Sequence, residues 1–249
     1  MLPSIDEIGR YAVFLDFDGT VVELADHPDA VRVDVATVRL LEALGDRVGR
    51  ALAVISGRDI DVVDKMLHPL VLPVAGVHGL QRRDAAGRLH RAALDPAELG
   101  SIYLLIEEAI GKERGVFIER KVGAVALHYR LRPELERRCR DIVESVIWRR
   151  PELQLLQGKM VFEIRLDGAD KGDVIEAFLH EPPFAGRTPI FAGDDVTDEA
   201  GFAVVNARGG ISIKIGANST LARFRAADVR ELHAWLSALA HEPREERVG

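Results

Sequence analysis

Apolar residues in the first eighty positions fall into short continuous runs separated by polar or amphipathic stretches. Residues 11–15 read Tyr-Ala-Val-Phe-Leu and stop at Asp16; residues 51–55 read Ala-Leu-Ala-Val-Ile and stop at Ser56. Runs without polar alternation predict strands covered on both faces, the pattern of a parallel sheet. A third such run covers residues 72–77. Between them, helices are predicted over residues 35–44, with Asp34 as N-cap and Gly45 as the stop, and over residues 59–67.

The pattern changes in the middle of the chain. Asp95-Pro96 reads as an N-cap followed by proline at the first helical position, opening a helix to about residue 110. Residues 116–118, 124–129 and 161–166 read as strands. From Pro133, the spacing of Leu135, Cys139, Ile142, Val143, Val146 and Ile147 lays one apolar stripe along a helix. Cys139 on that stripe reads as a buried structural residue. Strand–helix alternation then returns: a helix over 171–179 capped by Asp170, a strand over 189–192 ending at Gly193-Asp194-Asp195, a helix capped by Thr197, a strand over 211–215 and a helix over 228–240. The fold class is α/β, a Rossmann-like parallel-sheet core (residues 1–79 and 166–249) interrupted by an inserted α+β cap (residues 80–165).

Composition narrows the possibilities. The chain has 249 residues, 47% apolar and 29% charged, an ordinary globular balance that excludes a disordered chain. Its single cysteine excludes an intramolecular disulfide and a cysteine-based metal site, and suits a reducing compartment. No membrane-spanning apolar segment and no signal-peptide pattern at the start lead to a cytoplasmic expectation without a membrane partner. The net charge of −7 argues against nucleic acid. The final residues, from His241, are polar and read as a frayed end.

In an open parallel sheet, ligands bind beyond the carboxyl ends of the strands. Asp16-Phe17-Asp18-Gly19-Thr20, Ser56 and Gly193-Asp194-Asp195 all follow strands, and Lys171 opens a helix. An aspartate is ionised at neutral pH without a base to activate it, so Asp16 can attack phosphorus and form an acyl phosphate. Asp18, two positions on, could protonate the leaving oxygen and then activate water. Hard carboxylate oxygens from Asp16 and Asp194 suit Mg²⁺, and Lys171 and Ser56 supply a charge and a hydroxyl for phosphoryl oxygens. Taken singly, each motif is also what a turn, an N-cap or a solvated helix end looks like.

These residues, in this order and at intervals of 40, 115 and 23 positions, resemble the four motifs of the haloacid dehalogenase superfamily. The resemblance implies that Asp16 is the nucleophile and Asp18 the general acid/base, while Ser56 and Lys171 bind the phosphoryl group. It implies that Asp16, Asp18 through its backbone carbonyl, and Asp194 hold Mg²⁺, supported by Asp195 and Asp198. The insert falls where one class of the superfamily carries its cap. Within the superfamily the chain looks most like the trehalose-6-phosphate phosphatases. The segments that carry this likeness include Ile55-Ser56-Gly57-Arg58, Gly76-Val77-His78-Gly79, Glu119-Arg120-Lys121, His128-Tyr129-Arg130, Gly158-Lys159 with Glu163, and Gly193 through Glu199. By that likeness, Glu119, Lys121 and Glu163 are the sugar-recognition candidates, with Lys159, His128 and Arg130 behind them. Thr20 and Arg58 are assigned to the substrate as well. One departure is Gln81, where the family has Glu.

Alternatives stay open on the sequence. Glu119 and Lys121 share a strand face and could be a surface ion pair; His128 could be a core histidine. The substrate could be another sugar phosphate or a glycosyl-glycerol phosphate. A phospho-acceptor signalling module uses similar residues, but it needs a long-lived acyl phosphate, which Asp18 would work against. The oligomeric state is left open. The charge is also split: residues 81–165 hold 17 basic and 13 acidic side chains, net +4, against −11 for the remainder. An acidic chain therefore still offers a basic insert to a small anionic ester.

Overall fold

The continuous apolar runs become central strands. A computed structural model describes residues 2–24, 31–91, 96–121, 123–150, 153–158, 160–166 and 170–241. Strands β1 (Tyr11–Asp16) and β2 (Leu52–Ile55) are buried along almost their whole length. Between them runs α1 (Val35–Arg47), whose N-cap Asp34 accepts from the Thr37 amide at 2.7 Å. Gly45 does not end this helix as expected. It is buried within it, facing Leu52, and the chain reverses at Gly49, where φ is +56°. Helix α2 (Ile60–Leu67) is capped by Asp59, and β3 (Val74–Gly76) follows.

The expected boundary at residue 80 needs correction. Strands β4 (Gln81–Arg83) and β5 (Leu89–Arg91) continue the same sheet in antiparallel sense. The first compact unit is Met1–Arg91 with Ala169–Gly249, and the insert is Ala92–Gly168. These two strands carry Arg and His, as sheet edges often do, and so lack an apolar signature. Their turn is held by Asp84, buried, which accepts from the Ala86 and Arg88 amides at 3.0 and 2.8 Å. Gln81 donates to Asp59 at 3.2 Å, a bond that a glutamate could make only when protonated.

The insert contains α3 (Pro96–Ile110), β6 (Phe117–Lys121), β7 (Ala124–His128), α4 (Glu136–Ile147), β8 (Leu153–Gly158) and β9 (Val161–Leu166). Its sheet runs β6-β7-β9-β8, antiparallel throughout. One face, with Val125, Leu127, Phe162 and Ile164, packs on Ile102 and Ile106 of α3 and on Cys139 and Val143 of α4. Cys139 is fully buried there, as the helical stripe predicts. The other face carries Glu119, Ala126 and Glu163, which stand in register across three strands. The sequence missed β8. Asp95 and Lys159 lie outside the described residues, as do residues 242–249.

The chain then returns to the first unit as α5 (Lys171–Leu179), β10 (Thr188–Gly193), α6 (Glu199–Ala207), β11 (Ile211–Ile215), β12 (Phe224–Ala226) and α7 (Val229–His241). The sheet order is β12-β11-β10-β1-β2-β3-β4-β5. The first six strands in that order are parallel. β1 is thus flanked by β2, which comes next in sequence, and by β10, which comes from beyond the insert. This is the switch point at which parallel sheets bind ligands. Phe14 of β1 packs on Phe178 of α5 and on Phe184, with ring centroids 5.0–6.0 Å apart among the three. Burial of such rings, worth roughly 2–3 kcal/mol each, fixes α5 beneath the sheet. Thr197 does not cap the helix after β10. A short turn of 3-10 helix (Val196–Asp198) intervenes, and Asp195 caps it reciprocally with Asp198.

Candidate active site

β1 ends on Asp16, β2 is followed by Ser56, and β10 by Asp194. Since β2, β1 and β10 are neighbours, these three residues converge at one end of the sheet. Gly19 lets the chain turn there: its φ is +80°, and a Cβ would collide with the Asp194 carboxylate. The Asp16, Asp194 and Asp198 carboxylate oxygens lie within 4.8 Å of one another.

Lys171 occupies an uncommon position. It is the first residue of α5, where the helix dipole disfavours a cation, and it is only 3% exposed. Neither local propensity nor hydration would keep an ammonium there. Two carboxylates do: its Nζ donates to Asp16 Oδ1 at 2.6 Å and to Asp198 Oδ1 at 2.5 Å. The other Asp198 oxygen accepts from the Asp195 amide at 2.8 Å. Asp198 is thus fully engaged in holding its neighbours.

Ionisation follows from this crowding. Burial pushes the Asp16 carboxyl from 3.8 up to about 8; the Lys171 ammonium opposes the rise, and Asp198 and Asp194 add to it. Asp194 is raised by burial and then by the Asp198 charge. Burial also works against the Lys171 charge, but Asp16 and Asp198 outweigh it and its pKa rises. When ionised, three carboxylates against one ammonium leave a local excess of two negative charges. The donor set is all hard oxygen, so it fits a divalent cation, with Asp16 and Asp194 the side chains placed to hold one. A second group, Asp84, His90 and Glu181, has a different character. There Asp84 takes Arg88 at 2.8 Å and Glu181 takes Arg82 at 2.5 Å, so cations are already supplied.

The remaining candidates divide between the two units. Ser56 is fully buried, and its hydroxyl accepts from the Arg58 amide at 3.0 Å. Arg58, assigned to the substrate by resemblance, holds Asp18 with two bonds of 2.7 Å each. Thr20 Oγ1 is buried with no partner among the described residues. Asp195 is exposed and acts as a cap. In the insert, Glu119 is exposed and accepts a 2.9 Å bond involving His128 Nε2. His128 also stacks flat on Phe117, centroids 4.4 Å apart, so it is no core histidine. Glu163 is half-buried on the same face, and Arg130, just beyond β7, is exposed. Lys121 lies at the end of β6. Two further residues belong to no motif in the sequence: Phe117, and Lys214 of β11, whose Nζ donates to the carbonyls of Asp194 and Asp195. The signal for Lys214 is a lysine within a short strand whose other residues are three isoleucines and Ser212.

The parallel α/β core that carries the buried Asp–Lys–Asp cluster at its switch point has the fold of haloacid dehalogenase-like hydrolases. The fold is shared with a haloacid dehalogenase-like hydrolase from B. subtilis, with a TM-score of 0.64 and 15% identity over 93% of this chain and 100% of that one. Residues 14–231 match the trehalose-phosphatase family, and the chain belongs to it. It is 42% identical to a trehalose-6-phosphate phosphatase of Escherichia coli over 96% of this chain and 90% of that protein. A crystal structure of a trehalose-6-phosphate phosphatase related protein superposes with a TM-score of 0.69, at 28% identity, over 92% of this chain and 96% of that one.

Proposed function

We propose that this chain is a cytoplasmic enzyme that hydrolyses trehalose 6-phosphate to trehalose and phosphate, assisted by Mg²⁺, through an acyl phosphate on Asp16. The observation that carries the chemistry is the buried contact of Lys171 with both Asp16 and Asp198. The substrate rests on family membership and on the relative in Escherichia coli.

Asp16 attacks phosphorus, and the bond to the sugar oxygen breaks. Asp18 gives that oxygen a proton and then takes one from the water that attacks the phosphoryl group, returning Asp16 to a carboxylate. To do this Asp18 exchanges its bonds to Arg58 for the reacting oxygens. Lys171 and Ser56 bind phosphoryl oxygens, and Thr20, whose buried hydroxyl has no partner among the described residues, is assigned to the substrate with them. Asp16, Asp194 and the backbone carbonyl of Asp18 would hold Mg²⁺, with Asp195 and Asp198 in support. When bound, the cation offsets the excess negative charge and polarises the phosphoryl group.

Glu119, Lys121 and Glu163 are proposed to recognise the sugar hydroxyls, with His128, Arg130 and Lys159 behind them. Glu119 and Glu163 stand in register two strands apart, about 10 Å between backbones, with the small Ala126 between them. Carboxylates pair with hydroxyls and discriminate against substrates that lack them. Phosphate release from a panel of sugar phosphates, glycosyl-glycerol phosphates and a small aryl phosphate tests this reading. Trehalose 6-phosphate should be preferred. Glu163→Ala should lower its kcat/KM by about 10²-fold or more while barely changing aryl phosphate hydrolysis. Equal losses on both would remove Glu163 from the sugar site, and preference for another ester would replace the substrate.

A further inference from the structure

Lys214 lies in a strand otherwise built of Ile211, Ser212, Ile213 and Ile215, and it is 2% exposed. Buried lysines are normally held by carboxylates. The ammonium of Lys214 instead donates to two backbone carbonyls, Asp194 at 2.6 Å and Asp195 at 3.1 Å; the Glu199 carboxylate is 4.0 Å away. The sheet brings it there: Lys214 is in parallel register with Gly193, the residue before Asp194.

The peptide unit between Asp194 and Asp195 is therefore gripped at both edges. Its carbonyl is held by Lys214, and its N–H donates to Asp198 Oδ2 at 2.8 Å. A peptide unit fixed in this way sets the direction in which Asp194 presents its side chain. That matters because the Asp194 carboxylate is crowded against those of Asp16 and Asp198. A turn of that peptide unit would carry the Asp194 carboxylate away from them, and the clamp opposes it. We propose that Lys214 is a positioning residue: by pinning the 194–195 backbone it holds the Asp194 carboxylate in place for the divalent cation and so sets the affinity for that cation. This rests on the metal-assisted reading above.

The test uses the full chain as wild type, Lys214→Met, Lys214→Gln and Lys214→Arg. Melting temperature is followed against MgCl₂, and phosphate release from trehalose 6-phosphate is followed against the same titration. Lys214→Met is expected to need about 10-fold or more Mg²⁺ to reach half of its thermal stabilisation, and a similar excess for half-maximal turnover. Activity lost at low Mg²⁺ should return at high Mg²⁺. Lys214→Gln, which keeps a donor, should shift less in the same direction, and Lys214→Arg should shift least. A merely structural lysine would lower the metal-free melting temperature and leave the Mg²⁺ half-point where it was. If Lys214→Met does not fold, Lys214→Gln carries the test. An unshifted half-point in the folded variants, beside a wild type that responds to Mg²⁺, overturns the Lys214 assignment alone. A wild type with no Mg²⁺ response in either measurement overturns the metal-assisted reading and this inference with it.

Discussion

Asp16→Asn is expected to lower turnover by about 10⁴-fold or more while leaving the fold intact. The carboxylate is the group that forms the bond to phosphorus, and an amide of the same shape cannot replace it. Its effect on stability runs the other way. Asp16 ionises at 3.8 in an exposed chain and at about 8 in the folded one, mainly through burial. The folded state therefore holds this proton more tightly. The resulting stability is fully present below the unfolded value and is lost as pH rises through the folded one. Metal-free wild type should accordingly lose melting temperature between about pH 4 and pH 8. Asp16→Asn removes the titrating group, so its profile should be flatter and its melting temperature at pH 8 no lower than that of wild type. Thermal melts in EDTA across this range check both statements. A variant that melts far below wild type at pH 8 would mean that Asp16 is chiefly a structural partner of Lys171.

Lys171→Met carries the largest expected loss of stability. The side chain is 3% exposed and binds Asp16 and Asp198 at 2.6 and 2.5 Å. Removing it leaves two buried carboxylates facing each other, a change that costs about 3–5 kcal/mol. Asp16, whose carboxyl burial already raises, can relieve the repulsion by taking up a proton, so the deficit should be smaller at about pH 5 than at about pH 8. Turnover should fall by about 10²–10³-fold from the lost phosphoryl contact alone. Denaturant melts at the two pH values, with phosphate release on the folded fraction, separate the effects. A deficit that does not change with pH would argue that the carboxylates are not what Lys171 neutralises.

The opposite behaviour of these two substitutions follows from features that were unequally legible in the sequence. Asp16, Ser56 and Asp194 stood out because each follows an apolar run, and a parallel sheet places such run ends side by side. Lys171 was legible as a cation where a helix begins, but its pairing with Asp198 depends on how β10 and α5 meet. The partner of Arg58 was not legible, because nothing in the order of residues tells a substrate-facing guanidinium from one folded back on Asp18. Strands β4, β5 and β12 have three residues each, too few to show a period, and β4 and β5 carry edge charges. That is why the insert was expected to begin at residue 80. At residues 195–198 three good capping residues lie within four positions, and only the short 3-10 turn decides for Asp195. Lys214 was hidden by its setting, since an apolar strand pattern says where a side chain is buried and not what it holds.

The central claim is a phosphoryl group carried covalently by Asp16, and trapping it is the most direct measurement. Asp18→Asn removes the acid for the leaving oxygen as well as the base for water, so both half-reactions slow and the acid quench is made within the first turnover. Mixing this variant with trehalose 6-phosphate labelled at phosphorus, quenching in acid and mapping the label should give an acid-stable, hydroxylamine-labile phosphoryl group on the peptide containing Asp16. The label should be absent when Asp16→Asn is added. Release of labelled phosphate with no label ever bound to the protein, or label recovered on any other residue, would contradict the account.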